Sequence, residues 1–492
     1  MKRVAIIGGG FAGLAAGVEL AARGFAVMLF EARPRLGGRA YSFRDDETGE
    51  VVDNGQHALM GCYRDTLAFL DRIGATHKLT RQRNLCVHMV HPEHGPGAIA
   101  CATLPSPLHL LSGILRYPLL TRGERLRALL GGTQVMAMRR RRDPRLAEWT
   151  VAHLLTALRQ SPNARASFWY PVAVATLNES PKRAAAAPFA EVLARAFFRS
   201  RADSQFVLPK VGLSDLYTDD ARRYIEARGG RVELKSQVAD LVVSENQASA
   251  LRLRDGAQVE ADACISAVPP KALAALLPDA FRNGGGRPAH DTLAWHALAC
   301  DAFESSPIVS VHLWFDRPVL ADAFVGLIGT TTQWLFNRSL LTGNGGNGAG
   351  RQCLSAVISA GRELVDWPTA QIVATVLADL RTMLPPSRAA QVLQSVVVKE
   401  KHATISATPA AERLRPAATT PIGNLFLAGD WTSTGLPPTI ESAVFSGRRA
   451  AELVAEYLGV SDRTARSVIL GPNTSRRAQT SGTSFRGAAL CR

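Results

Sequence analysis

The sequence predicts an α/β fold in which a parallel-sheet domain, opening on a βαβ unit, is interrupted by a second, α+β domain. Three stretches carry that expectation. "RVAIIG" is a short apolar run stopped by glycine, the pattern of a strand covered on both faces. "AGLAAGVELAARG" reads as a helix closed by Gly24, and "AVMLFE" as a second buried strand. Far along the chain, "NLFLAGDW" (424–431) is another strand, and "PPTIESAVFSGRRAAELVAEYL" starts a helix soon after it.

With 492 residues, 47% of them hydrophobic, the chain is long enough for two or three domains with sizeable cores. Its net charge of +15 comes mainly from arginine and fits nucleic acid, an anionic membrane surface or simple compositional bias. The seven cysteines are scattered without a CxxC pair, which argues against a disulfide framework or a structural zinc and for a reducing cytosol. The start "MKR" and the apolar run behind it imitate a secretory signal, but the glycine spacing and the strand that follows assign the run to the fold. The uncharged stretch 95–115 is broken by Pro96, Pro105 and Pro107 and contains His109, so any membrane contact is expected to be peripheral.

Between the first strand and the first helix, Gly8, Gly10 and Gly13 form GxGxxG around Phe11 and Ala12. Gly8 permits the tight turn, Gly10 lets a pyrophosphate approach the backbone, and Gly13 lets the helix pack on the strand, while the helix N-terminus offers N–H groups to phosphate. Glu31 ends the second strand, where a carboxylate accepts hydrogen bonds from both hydroxyls of an adenosine ribose. Motif, strand, helix and acid in this order specify a Rossmann-type dinucleotide site.

The next segment, "ARPRLGGRA", resembles the extended flavin fingerprint of the amine oxidase and phytoene desaturase superfamily and favours FAD over a nicotinamide. The resemblance implies that Ala32, Arg33, Gly37, Gly38 and Arg39 lie along the FAD, that Gly429 and Asp430 bind its ribityl and phosphate region, and that Thr439 and Ile440 approach its ring system. Val238 would contact the adenine. The fold implied is a Rossmann-type FAD-binding domain assembled from about 1–80, 205–285 and 415–460. A discontinuous α+β substrate domain, about 81–204 and 286–414, would be inserted into it. "NGGGR" (283–287) and "GNGGNGAG" (343–350) read as loops, and 461–492 as a disordered tail.

Within that superfamily, "VVDNGQHALMGCY" (51–63) most resembles the squalene-associated branch, the hydroxysqualene dehydroxylases. That branch implies reductive replacement of the hydroxyl of hydroxysqualene by hydrogen, in hopanoid and isoprenoid synthesis. It also implies a lipid substrate in a long apolar tunnel, which "SFWYPVAVATLN" and "IVSVHLWF" are placed to line, although most of their residues suit ordinary core. Gly55, Gln56 and His57 are expected to face cofactor or substrate. His57 is the candidate catalytic group, as acid or orienting donor, and His312 is a second. A phytoene desaturase is the rival reading; a monoamine oxidase and a non-catalytic flavin-bound scaffold rank below it. The arginine-rich stretch 108–142 suggests a seat on an anionic bilayer, hence a cytoplasmic protein peripheral to the inner membrane, with room for association with other squalene-synthesis enzymes. The Arg139–Arg142 run has no nucleic-acid recognition module beside it, so no nucleic-acid partner is expected. His88, His91 and His94 are read as a polar hairpin end and not as metal ligands, and no second Rossmann motif is present for a nicotinamide donor.

Overall fold

The computed structural model describes residues 1–278, 303–343 and 350–460. The loop segment 283–287, nearly all of the second glycine-rich loop and the tail 461–492 lie outside the described residues.

The βαβ unit forms as its pattern dictates. Strands Arg3–Ile7 and Ala26–Glu31 pair in parallel, and Val4, Ala5, Ile6 and Leu29 are fully buried between layers. The helix Phe11–Ala22 is apolar nearly all round because it, too, is enclosed. Gly447 lets the helix Ile440–Tyr457 cross it closely, since a Cβ there would stand 2.1 Å from the Ala12 carbonyl oxygen. The parallel sheet has five strands in the order Arg231–Leu234, Ala26–Glu31, Arg3–Ile7, Ala263–Ser266, Leu425–Leu427. Its two faces feed separate cores, one under the helices and one under a three-stranded antiparallel sheet of Val238–Ser244, Gln247–Leu253 and Gln258–Glu260.

The second sheet has seven strands, ordered Val392–Ile405, Ser305–Phe315, Gln352–Ser359, Trp334–Asn337, Phe324–Leu327, Cys86–His91, Gly95–Ala100. One face packs on the helix Thr369–Met383; the other meets a helical layer drawn from residues 108–198. In that layer the helix Arg122–Arg140 starts at a capping box, Thr121 with Glu124. Among the described residues no helix is long and apolar enough to cross a membrane. His88, His91 and His94 lie at the Cys86–Ala100 hairpin: His88 pairs with Asp322 at 2.9 Å, and the other two rings stack. Cys62, Cys101, Cys264 and Cys353 are free.

Candidate active site

The first strand ends in a turn that only glycine tolerates: Gly8 has φ +105°, and a Cβ on Gly13 would stand 1.9 Å from the Gly8 carbonyl oxygen. The helix therefore begins hard against the strand, and its first-turn N–H groups, which have no intrahelical acceptor, open into a cavity lined by Gly10, Phe11 and Ala12. A second loop lies across this one. Gly37 N–H donates to the Gly9 carbonyl at 2.9 Å, and a Cβ on Gly38 would come 3.1 Å from Gly10 Cα. Two side-chain-free backbones thus border a narrow slot. Glu31 closes one end: its Oε2 accepts from Gly9 N–H at 2.8 Å and its Oε1 from Arg33 N–H at 2.9 Å, leaving the second lone pairs of a fixed carboxylate for ribose hydroxyls.

The distant segments meet at the same slot. Arg39 donates to Asp430 at 2.5 Å and to the Ala403 carbonyl at 3.1 Å, so one arginine joins the fingerprint loop, the 425–427 strand end and the second sheet. Buried Arg415 holds the loop that follows, donating to the carbonyls of Asp430, Thr432 and Leu436 at 2.7, 2.9 and 2.6 Å. Thr439 caps the helix Ile440–Tyr457 through Ser442 N–H.

One cavity of about 750 Å³ is lined by Gly8, Gly10, Phe11, Ala12, Glu31, Ala32, Arg33, Gly37, Gly38, Arg39, Gly55, Gln56, His57, Val238, Gly429, Asp430, Thr439 and Ile440. The structure thus brings together every residue expected at the cofactor except Gly13, which does its work behind the wall by admitting the Gly8 turn. The glycine slot, the helix N-terminus and the anchored carboxylate fit the diphosphate and ribose of FAD. Ser236, Gln237, Ala267, Pro269 and Trp431 also line the cavity and were not singled out from sequence; only the fold brings their strand ends to this edge.

The 51–58 segment opens with the strand Val51–Asp53, paired antiparallel with Ser42–Arg44, and its residues reach both sheets. Asp53, 1% exposed, accepts from Ser42 at 2.7 Å, from Leu213 N–H at 2.9 Å and from Arg338 at 2.6 Å. Asn54 donates to the Arg39 carbonyl and to Glu400, both at 2.9 Å. Gln56, expected to face the cofactor, lines the cavity, but its Oε1 is committed to Arg338 at 3.2 Å. His57 Nδ1 lies 2.7 Å from the Gly55 carbonyl, which can only accept, so Nδ1 carries the hydrogen. Burial pushes the imidazole below its ordinary value against the opposing influence of the Gly55 carbonyl, Asp53 and Glu400. The neutral ring then presents Nε2 as an acceptor. In the neutral form the ring donates only through Nδ1, to Gly55, so the acid or donor role expected of His57 toward a substrate belongs to the protonated ring. The expectation for His312 is corrected: it is 1% exposed, outside the cavity wall, donates from Nε2 to the Asp53 carbonyl at 3.0 Å, and is lowered to about 4 by burial and by Arg338.

Beyond the cradle the cavity turns apolar. Its far wall holds Phe206, Ile308, Phe324, Trp334, Phe336 and Val357. Of the two segments expected to line a tunnel, 167–178 contributes Ala175, Thr176 and Asn178 and 308–315 contributes Ile308. Of their aromatic residues, Trp169, Trp314 and Phe315 are buried core, and Phe168 and Tyr170 are partly buried against it. The aromatic wall comes instead from short strands, Phe324 and the pair Trp334 and Phe336 from two strands of the second sheet and Phe206 from the strand Phe206–Pro209, which pairs with Leu59–Met60 and Leu79–Arg81; one or two inward-facing residues per strand carry no periodic signal long enough to read. Tyr63, whose phenol is pushed up by burial and by Cys62 and Glu441, is a further polar group on the wall.

Comparison with known proteins agrees with this geometry. Residues 11–455 match the family described as flavin containing amine oxidoreductase. A hydroxysqualene dehydroxylase of Sinorhizobium fredii is 31% identical over 92% of this chain and 98% of its own length. A 15-cis-phytoene desaturase of Synechococcus elongatus is 24% identical over 92% of this chain and 95% of its own. Among solved structures, an oxidoreductase from Methanosarcina mazei superposes with a TM-score of 0.70 over 92% of this chain and 100% of that one, at 16% identity, and shows the shared fold. On the strength of the cradle and of a match spanning nearly the whole chain, the protein belongs to the flavin-containing amine oxidoreductases, and its cofactor is FAD.

Proposed function

We propose that the protein reductively removes the hydroxyl of hydroxysqualene to give squalene. The observation that carries this reading is a single cavity joining an FAD cradle to an aromatic and aliphatic compartment. The full-length likeness to a hydroxysqualene dehydroxylase supports it. Replacing C–OH by C–H consumes a hydride and a proton and releases water; bound FAD supplies the hydride chemistry, and a separate reductant must reload it. Solvent supplies the proton, and the chain's own residues bind and orient the substrate. The apolar wall holds a prenyl chain and keeps bulk water from a cation developing at the allylic carbon. Neutral His57 accepts the hydrogen bond of the substrate hydroxyl and so orients it.

The rival, desaturation of a polyene, is supported by the phytoene desaturase likeness and by the same apolar wall. It runs electrons the other way. Anaerobic product analysis separates the two: reduced, FAD-loaded protein should convert hydroxysqualene to squalene by mass spectrometry. Bleaching of the oxidised flavin by phytoene, with no squalene formed in the first arm, would overturn the proposal.

The substrate also needs a way in from lipid, and one face of the helical layer suits an anionic bilayer. Leu104, Leu108, Leu111 and Leu115, spaced along and just before the helix Leu108–Arg116, are 43%, 50%, 37% and 49% exposed, and Leu126 and Leu130 on the next helix are 58% and 53% exposed. Residues 101–142 carry eight arginines against the single acid Glu124, which is occupied in its capping box. Apolar side chains ringed by arginine match acyl chains beneath anionic headgroups.

A further inference from the structure

Hydrogen-bond accounting on the cavity wall fixes the direction of one hydroxyl proton. Asn178, in the left-handed conformation (φ 47°) that ends the helix Tyr170–Leu177, accepts from Ala360 N–H through Oδ1 at 2.9 Å, which settles which end of its amide is oxygen. Its two amide hydrogens go to the Ser306 carbonyl and to Thr404 Oγ1, each at 3.0 Å. Thr404 is therefore the acceptor in that pair, and its own hydrogen is free to point elsewhere. Both residues line the cavity. Thr404 also adjoins Ala403, whose carbonyl accepts from Arg39, so its hydroxyl stands at the seam between the FAD cradle and the apolar compartment. Three other hydroxyls of the cavity spend their protons on backbone carbonyls: Thr176 on Val172 at 2.7 Å, and Ser236 on Leu234 and Thr439 on Pro437, each at 3.3 Å.

We propose that Thr404, aimed by Asn178, donates a hydrogen bond to the oxygen of a prenyl alcohol and selects that alcohol over the corresponding hydrocarbon. The inference rests on the dehydroxylation reading above and deepens it. A donor placed on the substrate oxygen also draws electrons along the C–O bond as it breaks. Threonine is too weak an acid to be the proton source, so its part is recognition and polarisation. A hydrocarbon in the same place leaves the hydroxyl unpaired, which is the means by which a buried polar group rejects a ligand lacking its partner.

The test is a binding titration of the oxidised, FAD-loaded protein, read from the flavin absorbance, with hydroxysqualene and with squalene. The wild type should bind the alcohol more tightly. Thr404→Val should lose roughly tenfold in affinity for the alcohol, about the worth of one hydrogen bond, while keeping its affinity for squalene, and Thr404→Ser should restore the preference. Equal wild-type affinity for the two ligands overturns the inference without recourse to any variant. So does a Thr404→Val protein that keeps the preference or weakens for both ligands alike. Failure of the reduced wild type to form squalene overturns the dehydroxylation reading instead, whereas turnover with unaltered discrimination in Thr404→Val overturns this inference alone.

Discussion

At His57 the direction of one hydrogen bond decides the chemistry. With Nδ1–H held by the Gly55 carbonyl and burial lowering the ring's pKa, the role proposed for Nε2 is to orient a hydroxyl by accepting from it. His57→Gln, which retains an acceptor, should keep more turnover than His57→Phe. Phenylalanine should cost roughly tenfold in kcat/KM, the loss of one hydrogen bond, with FAD content unchanged in its absorbance spectrum. The pH dependence has a definite sign. The folded-state value lies below the ordinary 6.5, so the acceptor form is complete above 6.5 and turnover should fall as pH drops through the lowered value. A rate that rises on acidification, and is lost with His57→Gln, would restore the donor role.

The element that organises the site is the 51–58 segment, and its anchor comes from another part of the chain. Arg338, 5% exposed at the start of the helix Arg338–Thr342, bonds Asp53, Gln56 and the Val51 carbonyl. Removing one partner of a buried pair leaves an uncompensated charge, so Arg338→Met should destabilise by about 3–5 kcal/mol in denaturant unfolding. Adding Asp53→Asn should return part of that loss, and additive single effects would refute the coupling. At the other side of the cradle, Gly13→Ala places a methyl 1.9 Å from the Gly8 carbonyl oxygen. The helix must shift off the strand, and the purified protein should carry little or no FAD.

On the scale of the whole molecule, the five-stranded sheet supplies the cofactor cradle, the seven-stranded sheet supplies the apolar wall, and the helical layer turns a leucine face outward. We expect the protein to float with phosphatidylglycerol liposomes and much less with phosphatidylcholine, with binding weakened by salt as arginine–headgroup attraction is screened. The triple change Leu108→Ser, Leu111→Ser, Leu115→Ser, on exposed positions, should abolish flotation and leave Tm nearly unchanged. Concentration-dependent dimerisation that the same change abolishes, without liposome binding, would assign the face to a second copy of the chain.

The sequence by itself determined the βαβ unit, the glycine turn, the terminal acid Glu31 and the fingerprint at Gly37–Arg39. Each is encoded within a few consecutive residues, by glycines that backbone geometry demands or by a buried-strand pattern. It also placed Gly55 and His57 at the cavity. What it left open was set by contacts between residues far apart in the chain. These include Arg338 on Asp53, Arg415 across the 430–436 carbonyls, the Asn178–Thr404 pair, and an aromatic wall with one or two residues from each strand. Local pattern records which residues share a strand or a helix face. Only the tertiary structure decides which faces meet and which donors and acceptors are paired across the fold.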